Sequence, residues 1–496
     1  MHDAGLLERE EELAAIKSAI DGARRGSGGA LLVEGVAGIG KSALLAEARA
    51  LARGTSVLAA AGGELERDFP YGVVRQLFEP AVRRLSASER ADVLAGAAAP
   101  AAGIVAGGAT VGDPLSIQHS LYWLTVNLAA RAPVLLTVDD LQWADTASLR
   151  VLLFLARRLD GMGALLVLAL RSEDAGGPSV AQLAAQAHTL RPAALTEAAV
   201  GTLIERGLAA PEPRFVSACH AATGGTPYLV GELVQALAAD QVAPVADSVR
   251  LVRGLGPATI AHATVLRLAR LPTGAVPLAE AVAVLGVDAR LWAAARVAGL
   301  DEVQAVGAAD TLVAAHVLRP GTPLEFVHPI VRAAVYEQLP PGARAAAHAR
   351  AARLLGDAGA EVDAIAAHLL LTEPAGHDEV IERLRDAARE ALARGAPEAA
   401  VTYLKRAHEE HLEPRLDVLE ELALAEQVVR APAAIGHLEE ALRRATDRAR
   451  RARLSIALAE LLALMAQWTR AYVLFGSALD ELGDDDGPLA QRAKAL

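Results

Sequence analysis

One cysteine in 496 residues, Cys219, excludes an internal disulfide. A lone thiol reads as a small buried hydrophobe in a reducing compartment, so a cytoplasmic location is expected. Aromatic residues are scarce too, at 3%. Basic charge is not in excess: the formal net charge is −12 and the pI about 5.6. That removes the electrostatic footprint that whole-chain nucleic-acid binding needs. The N-terminus, MHDAGLLEREEELAAIK, has no basic stretch ahead of an apolar run and is no signal peptide. A membrane span is not expected either. The uncharged residues 93–112 are numerous enough, but Pro100 and the Gly and Ala content mark a flexible loop.

What the chain has is apolar mass, 53% of it, mainly Ala, Leu and Val. Ala and Leu favour helix, so most of the chain should be helical. Leu13, Ile16 and Ile20 set a helix within residues 8–24. Four short apolar runs read as strands: ALLVEG (30–35), SVLAAA (56–61), PVLLTVDD (133–140) and GALLVLALR (163–171). Helical stretches between them, one from Lys41 to about residue 53, predict a parallel α/β sheet covered on both faces. Ligands of such sheets sit at the carboxyl ends of the strands. The glycine-rich run after the first strand, Asp139 and Arg171 all fall there.

From about residue 196 the pattern turns helical, over 196–207, 212–222 and 227–239. Residues 257–340 read as short helices and an extended stretch, VLRPGTPLEFVH (317–328), whose Pro-Gly turn suggests the hairpin of a winged-helix module. In the last third, 398–410, 433–445 and 470–482 align, with Leu404, Leu438 and Phe475 in register. Ala407 and Ala441 are 34 residues apart, and Ala441 and Ala478 are 37 apart. The first spacing is the tetratricopeptide period; an Ala-rich bundle in accidental register is the other reading. The array ends mid-repeat at QRAKAL, as expected of a piece of a longer protein. The expected division is 1–195 for the α/β domain, 196–256 for a helical lid, 257–345 for the winged-helix-like module and 346–496 for the repeats.

GVAGIGKS (35–42) fits G-x-x-x-x-G-K-[ST] in full. Gly35, Val36, Ala37, Gly38, Ile39 and Gly40 would present backbone N–H groups to a phosphate at a helix N-terminus. Lys41 would neutralise the β- and γ-phosphates, and Ser42 would ligate Mg²⁺. Asp139 ends an apolar strand, where a carboxylate can reach the magnesium shell from a neighbouring strand. Asp140 follows, where many such ATPases place the glutamate that orients the attacking water; a helix N-cap is the alternative. An aspartate is one methylene shorter, which favours slow hydrolysis. Arg171 would contact the γ-phosphate or be a surface arginine. In ATGGTPYLVGEL (221–232), Pro227 fits the first turn of a helix.

These motifs, in this order, resemble the AAA+-like signal-transduction ATPases with numerous domains, and within them the large ATP-binding LuxR-type transcriptional regulators. The strings that carry the likeness are LLEREEEL (6–13), GELERDFPYGVVRQLFEP (63–80), the glycine loop, LLTVDDLQWADTASLRVLLFLARRL (135–159), ALR (169–171), ATGGTPYLVGEL and FVHPIVRAAVY (326–336). They span roughly residues 5–410. The resemblance implies that Arg9 lies near the adenine, although the family usually has Gly where this chain has Glu8. It implies that Pro227 packs on the base and that His328 senses the diphosphate; a core histidine is the alternative. The family ends in a helix-turn-helix DNA-binding domain. The given residues hold no such basic segment, so DNA is expected only through a domain outside them.

The implied function is an ATP/ADP switch with slow hydrolysis in transcriptional control. It would self-associate in the ATP state and sense an effector or partner through its repeats. Three alternatives stand beside it: a continuously hydrolysing ATPase or loader, the ATPase module of a cyclase- or kinase-linked regulator, and a helical scaffold holding nucleotide for stability.

Overall fold

A computed structural model describes residues 6–106, 113–173, 177–253, 268, 271–286, 289–411, 413, 415–483 and 488–495. The chain divides into two compact units, the first made of most residues up to Leu354 and the second of the residues from Leu355 together with two short earlier stretches, Asp68–Pro70 and Gly108–Ile117.

The first unit is built on five parallel strands: β1 (Gly29–Gly35), β2 (Ser56–Ala61), β3 (Val134–Asp139), β4 (Ala164–Arg171) and β5 (His188–Leu190), in the order β2-β3-β4-β1-β5. The four longer ones were legible as apolar runs. β5, three residues with a polar start, is too short to leave a pattern. β4 is buried along all but its last residue, as a central parallel strand covered on both faces must be. β4 also separates β1 from β3. The strands that carry the glycine loop and Asp139 are therefore not neighbours, as the sequence suggested, but two places apart, roughly 10 Å at ordinary strand spacing. Arg171, at the end of β4, comes between them.

Five helices of this unit bear on the site: α1 (Glu10–Arg24), α2 (Lys41–Leu51), α3 (Glu197–Gly207), α4 (Pro227–Ala239) and α5 (Pro329–Gln338). Ile16, Ile20 and Ala23 of α1 and Leu44, Leu45 and Ala48 of α2 share a core with Leu31, Val33, Leu135, Leu165, Val167 and Ala169. These strand residues are every second one, so both helices cover one sheet face. Glu10, Glu11 and Glu12 in the first turn of α1 complement its dipole. The flexible loop expected at 93–112 is helical as far as it is described. Ala87–Val93 and Ala102–Val105 are α-helices, and Gly96–Ala101 is a 3₁₀ turn. Ala98, Ala101, Ile104 and Val105 are buried, and that packing overrides a Pro and Gly composition that suggested a loop. Residues 107–112 lie outside the described residues.

Cys219 is buried, and burial pushes its thiol up to about 12. Residues 275–354 pack around their own core, which includes Leu278, Val282, Leu312 and Val335. The extended stretch forms one antiparallel bridge, Leu318 with Phe326. A helix, Pro341–Asp357, runs through the expected boundary at 345.

In the second unit, helix pairs succeed one another: Asp378–Ala393 with Pro397–Glu409, Leu416–Val428 with Ala434–Arg444, and Arg448–Leu464 with Trp468–Leu482. The three aligned segments are the second helices of these pairs. Leu404, Leu438, Phe475, Ala407, Ala441 and Ala478 are all buried. Alanine at the contact lets paired helices approach closely. Among the described residues, no helix is long and apolar enough to cross a membrane.

Candidate functional site

The glycine loop leaves β1 at Gly35 and enters α2 at Lys41. Gly38 and Gly40 have φ of +82° and +106°, which L side chains rarely adopt. α2 has no side-chain cap and no acidic residue in its first turn, so its amides remain for an anion. Gly38 is also a close approach. A Cβ there would stand 2.9 Å from the Cβ of Tyr228, and the Tyr228 N–H donates to the Gly38 carbonyl at 3.2 Å.

Lys41 is buried, with its ammonium donating to the carbonyls of Gly35 and Val36 at 2.8 and 2.9 Å. Burial holds it below the usual lysine value, partly offset by the charge of Asp140. Asp139 is shifted the other way. Burial raises its carboxyl, the Asp140 charge adds to this, and the Ser42 hydroxyl and the Asp140 N–H oppose it. The Ser42 hydroxyl thus lies beside the Asp139 carboxylate at the mouth of the loop. Among the described residues no three His, Cys, Asp or Glu side chains gather as a metal site. One hydroxyl and one carboxylate suit Mg²⁺, which keeps several waters and arrives on phosphates.

Asp140 adopts φ 46°, ψ 49°, in the left-handed region. Its N–H donates to Asp139 Oδ1 at 2.9 Å. Its own Oδ1 accepts from Arg171 Nε at 3.1 Å and from Gln142 Nε2 at 2.7 Å. The turn has no room to move: a Cβ on Gly62, at the end of β2, would lie 2.4 Å from the Asp140 carbonyl oxygen. The N-cap alternative for Asp140 does not hold, since its side chain makes no cap bond; Asp145 caps the next helix, accepting from Ser148 N–H at 2.8 Å.

Arg9 is buried, and its guanidinium donates to the carbonyls of Glu8, Ile39 and Ala193. It ties the N-terminus to the glycine loop and to the chain ahead of α3. Glu8 takes φ 54°, the region that a glycine would fill. Its carboxylate accepts from the Thr196 N–H and hydroxyl, which holds its pKa low. Pro227 opens α4 in its first turn, and its neighbour Tyr228 is the residue that meets the loop.

The His328 ring, just before α5, stacks on Tyr228 with centroids 3.7 Å apart and planes 21° apart. Burial pushes the His328 pKa down to about 4, and the charge of Arg171 adds to this. At neutral pH the ring is neutral. Arg9, Asp139, Asp140, Arg171 and His328 thus gather with the glycine loop around the carboxyl edge of the sheet, whereas the contact to the loop from the start of α4 is made by Tyr228 and not by Pro227. Sequence reading gave no role to Gln142, Tyr228 and Gly62. Only the packed turn reveals that they touch Asp140 or the loop.

Residues 5–168 match the AAA ATPase domain family. No curated protein sequence matches the chain. Among solved structures, a signal transduction ATPase with numerous domains and a tetratricopeptide repeat sensor from Pyrococcus horikoshii is similar at 13% identity and a TM-score of 0.49, over 96% of this chain and 77% of that one. A Walker-type ATPase of Pyrococcus abyssi is similar at 13% identity and a TM-score of 0.35, over 66% and 96%. The RuvB Holliday junction branch migration motor of Thermotoga maritima is similar at 15% identity and a TM-score of 0.29, over 63% and 90%. The N-terminal part of the chain is an ATPase domain of the AAA type, matched over residues 5–168.

Proposed function

We propose that this protein is an ATP-binding switch with slow hydrolysis, acting in transcriptional regulation through a partner or through a domain outside these residues. The observation that carries the reading is the run of contacts from Gly38 to Tyr228 to His328. It joins the phosphate loop to α4 and to the segment that leads into α5. A nucleotide that shifts the loop acts on both. It moves the equilibrium only by its preference for one arrangement, so ATP and ADP must differ in affinity for the docked form.

The amides of residues 35–40 cradle the phosphates. Lys41 turns from the Gly35 and Val36 carbonyls to the β- and γ-phosphate oxygens. Ser42 and Asp139 would hold Mg²⁺, which would supply charge neutralisation to the phosphates. Asp140 orients the attacking water, and its short side chain makes that step slow. Arg171 reads the γ-phosphate, and His328 reads the diphosphate. Arg9 and Pro227 flank the base. The repeats sense an effector or partner; a cleft of about 550 Å³ there is lined by Leu442, Arg443, Arg451, Leu458 and Arg470, among others. ATP favours self-association.

Calorimetry with ATP and ADP, paired with size-exclusion chromatography in each nucleotide, tests the reading. Tight binding, slow turnover and a larger species only with ATP are expected. Sustained turnover without an effector, or one size in both nucleotides, overturns the switch.

A further inference from the structure

We propose that Gln142 is a positioning residue for hydrolysis, its amide holding the Asp140 carboxylate in place from the end of β4. The inference rests on the ATPase reading above and concerns a side chain with no assigned role.

Gln142 lies in the single 3₁₀ turn Leu141–Trp143 that follows Asp140, and it is 8% exposed. A buried amide needs partners at both ends. Gln142 finds them on two strand ends. Its Nε2 donates to Asp140 Oδ1 at 2.7 Å, and its Oε1 accepts from the Arg171 N–H at 3.3 Å. The partners fix the orientation of the amide, because a carboxylate only accepts and a backbone N–H only donates. The Arg171 side chain reaches the same Oδ1 at 3.1 Å. Both donors to Asp140 are therefore anchored at the last residue of β4. An aspartate in a left-handed turn needs such anchors to hold one direction.

Arg171 and Gln142 differ in one respect. The arginine is a cation beside the loop and would be drawn to an incoming γ-phosphate. The amide is neutral and tied at its other end to backbone. When Arg171 turns to the phosphate, Gln142 is the donor that remains on Asp140. Both ends of its amide are already engaged, by Asp140 and by the Arg171 N–H, so it acts through Asp140.

The test uses the full chain with Gln142→Leu, which removes both amide functions, and Gln142→Glu, which keeps the shape but sets an acceptor against the carboxylate. ATP affinity is read by calorimetry and kcat by single-turnover hydrolysis. Both variants should bind ATP within about threefold of wild type, while kcat falls about 10-fold for Leu and more for Glu, the scale of one hydrogen bond to a charged group. In an Asp140→Asn background, Gln142→Leu should cost less than about twofold, because the two act as a unit. Unchanged kcat in both variants, with Asp140→Asn slowed but measurable, overturns this inference alone. So do losses that are additive, or that track ATP affinity. Wild-type turnover in Asp140→Asn overturns it together with the role of Asp140. Wild-type ATP affinity in Lys41→Ala marks failure of the site reading itself. If the Leu variant does not fold, the near-isosteric Glu variant decides.

Discussion

At the carboxyl edge of the sheet, burial raises Asp139, lowers Lys41 and lowers His328 to about 4. In the helical-repeat unit, Arg385 meets Glu421 at 2.7 Å and Asp417 and Glu382 at 2.9 Å. The Glu421 hydrogen bond holds that guanidinium above its ordinary value. Glu410, with Arg406 and the N–H groups of Ala375 and His377 around it, stays below the usual carboxylate range. At the sheet edge three ionisable groups held against their preference are gathered in one place, whereas in the repeat unit Arg385 and Glu410 are satisfied by their partners, although burial also raises Asp363 and pushes His368 down to about 4. Strained charge that a ligand can relieve marks a site; satisfied charge holds a scaffold together.

The sharpest way to break this contrast is Lys41→Ala. Two charge-assisted phosphate contacts are worth about 4 kcal/mol, so ATP affinity should fall roughly 1,000-fold by calorimetry. Equal affinity removes the site. Next is Asp139→Asn. Magnesium-dependent hydrolysis should drop about 100-fold, while the nucleotide-free chain gains stability. A carboxyl raised in the folded state contributes stability only below its unfolded value and loses it as pH rises, so at neutral pH the ionised group is a net cost. A rise in Tm of about 2 °C without nucleotide is expected; a fall would mean that the ionised Asp139 stabilises the empty fold.

His328 gives the third test. Its folded value is about 4 against an ordinary 6.5. Its contribution is complete above 6.5 and is lost as pH falls toward 4, because the unfolded chain takes the proton first. Between pH 7 and 5 the wild type should lose about 2 kcal/mol more stability in urea unfolding than His328→Phe does. Parallel pH profiles would remove His328 as the titrating group. On the scaffold side, Arg385→Ala should cost about 1.5 kcal/mol, the low end for charged hydrogen bonds at a partly exposed site. ATP affinity should hold within twofold, and a linked loss of ATP binding would erase the contrast. Smallest is Arg430→Gly. Arg430 is exposed with φ 55° after Leu416–Val428, and glycine there should add about 0.5–1 kcal/mol to chemical stability.

The residues that read clearly from sequence were those whose chemistry depends on local order. Gly35 to Ser42 need a fixed spacing, and Asp139 and Arg171 close apolar runs long enough to be strands. Buried small residues at repeat spacing made the helix pairs visible in the same way. β5 was too short to show a period, and residues 93–106 fold against their composition because Ile104 and Val105 find a core. Tyr228 and Gln142 gave no signal because their roles depend on partners far along the chain, at Gly38 and Arg171.

By itself the sequence determined the strand runs, the phosphate loop and the acidic strand end, since each is fixed by neighbours within a few residues. Only the tertiary structure decided that β4 lies between β1 and β3, that Arg171 and Gln142 both hold Asp140, and that His328 stacks on Tyr228 beside the loop. Those contacts join residues 29 to 136 positions apart. They are set by strand order and packing, which no local pattern encodes.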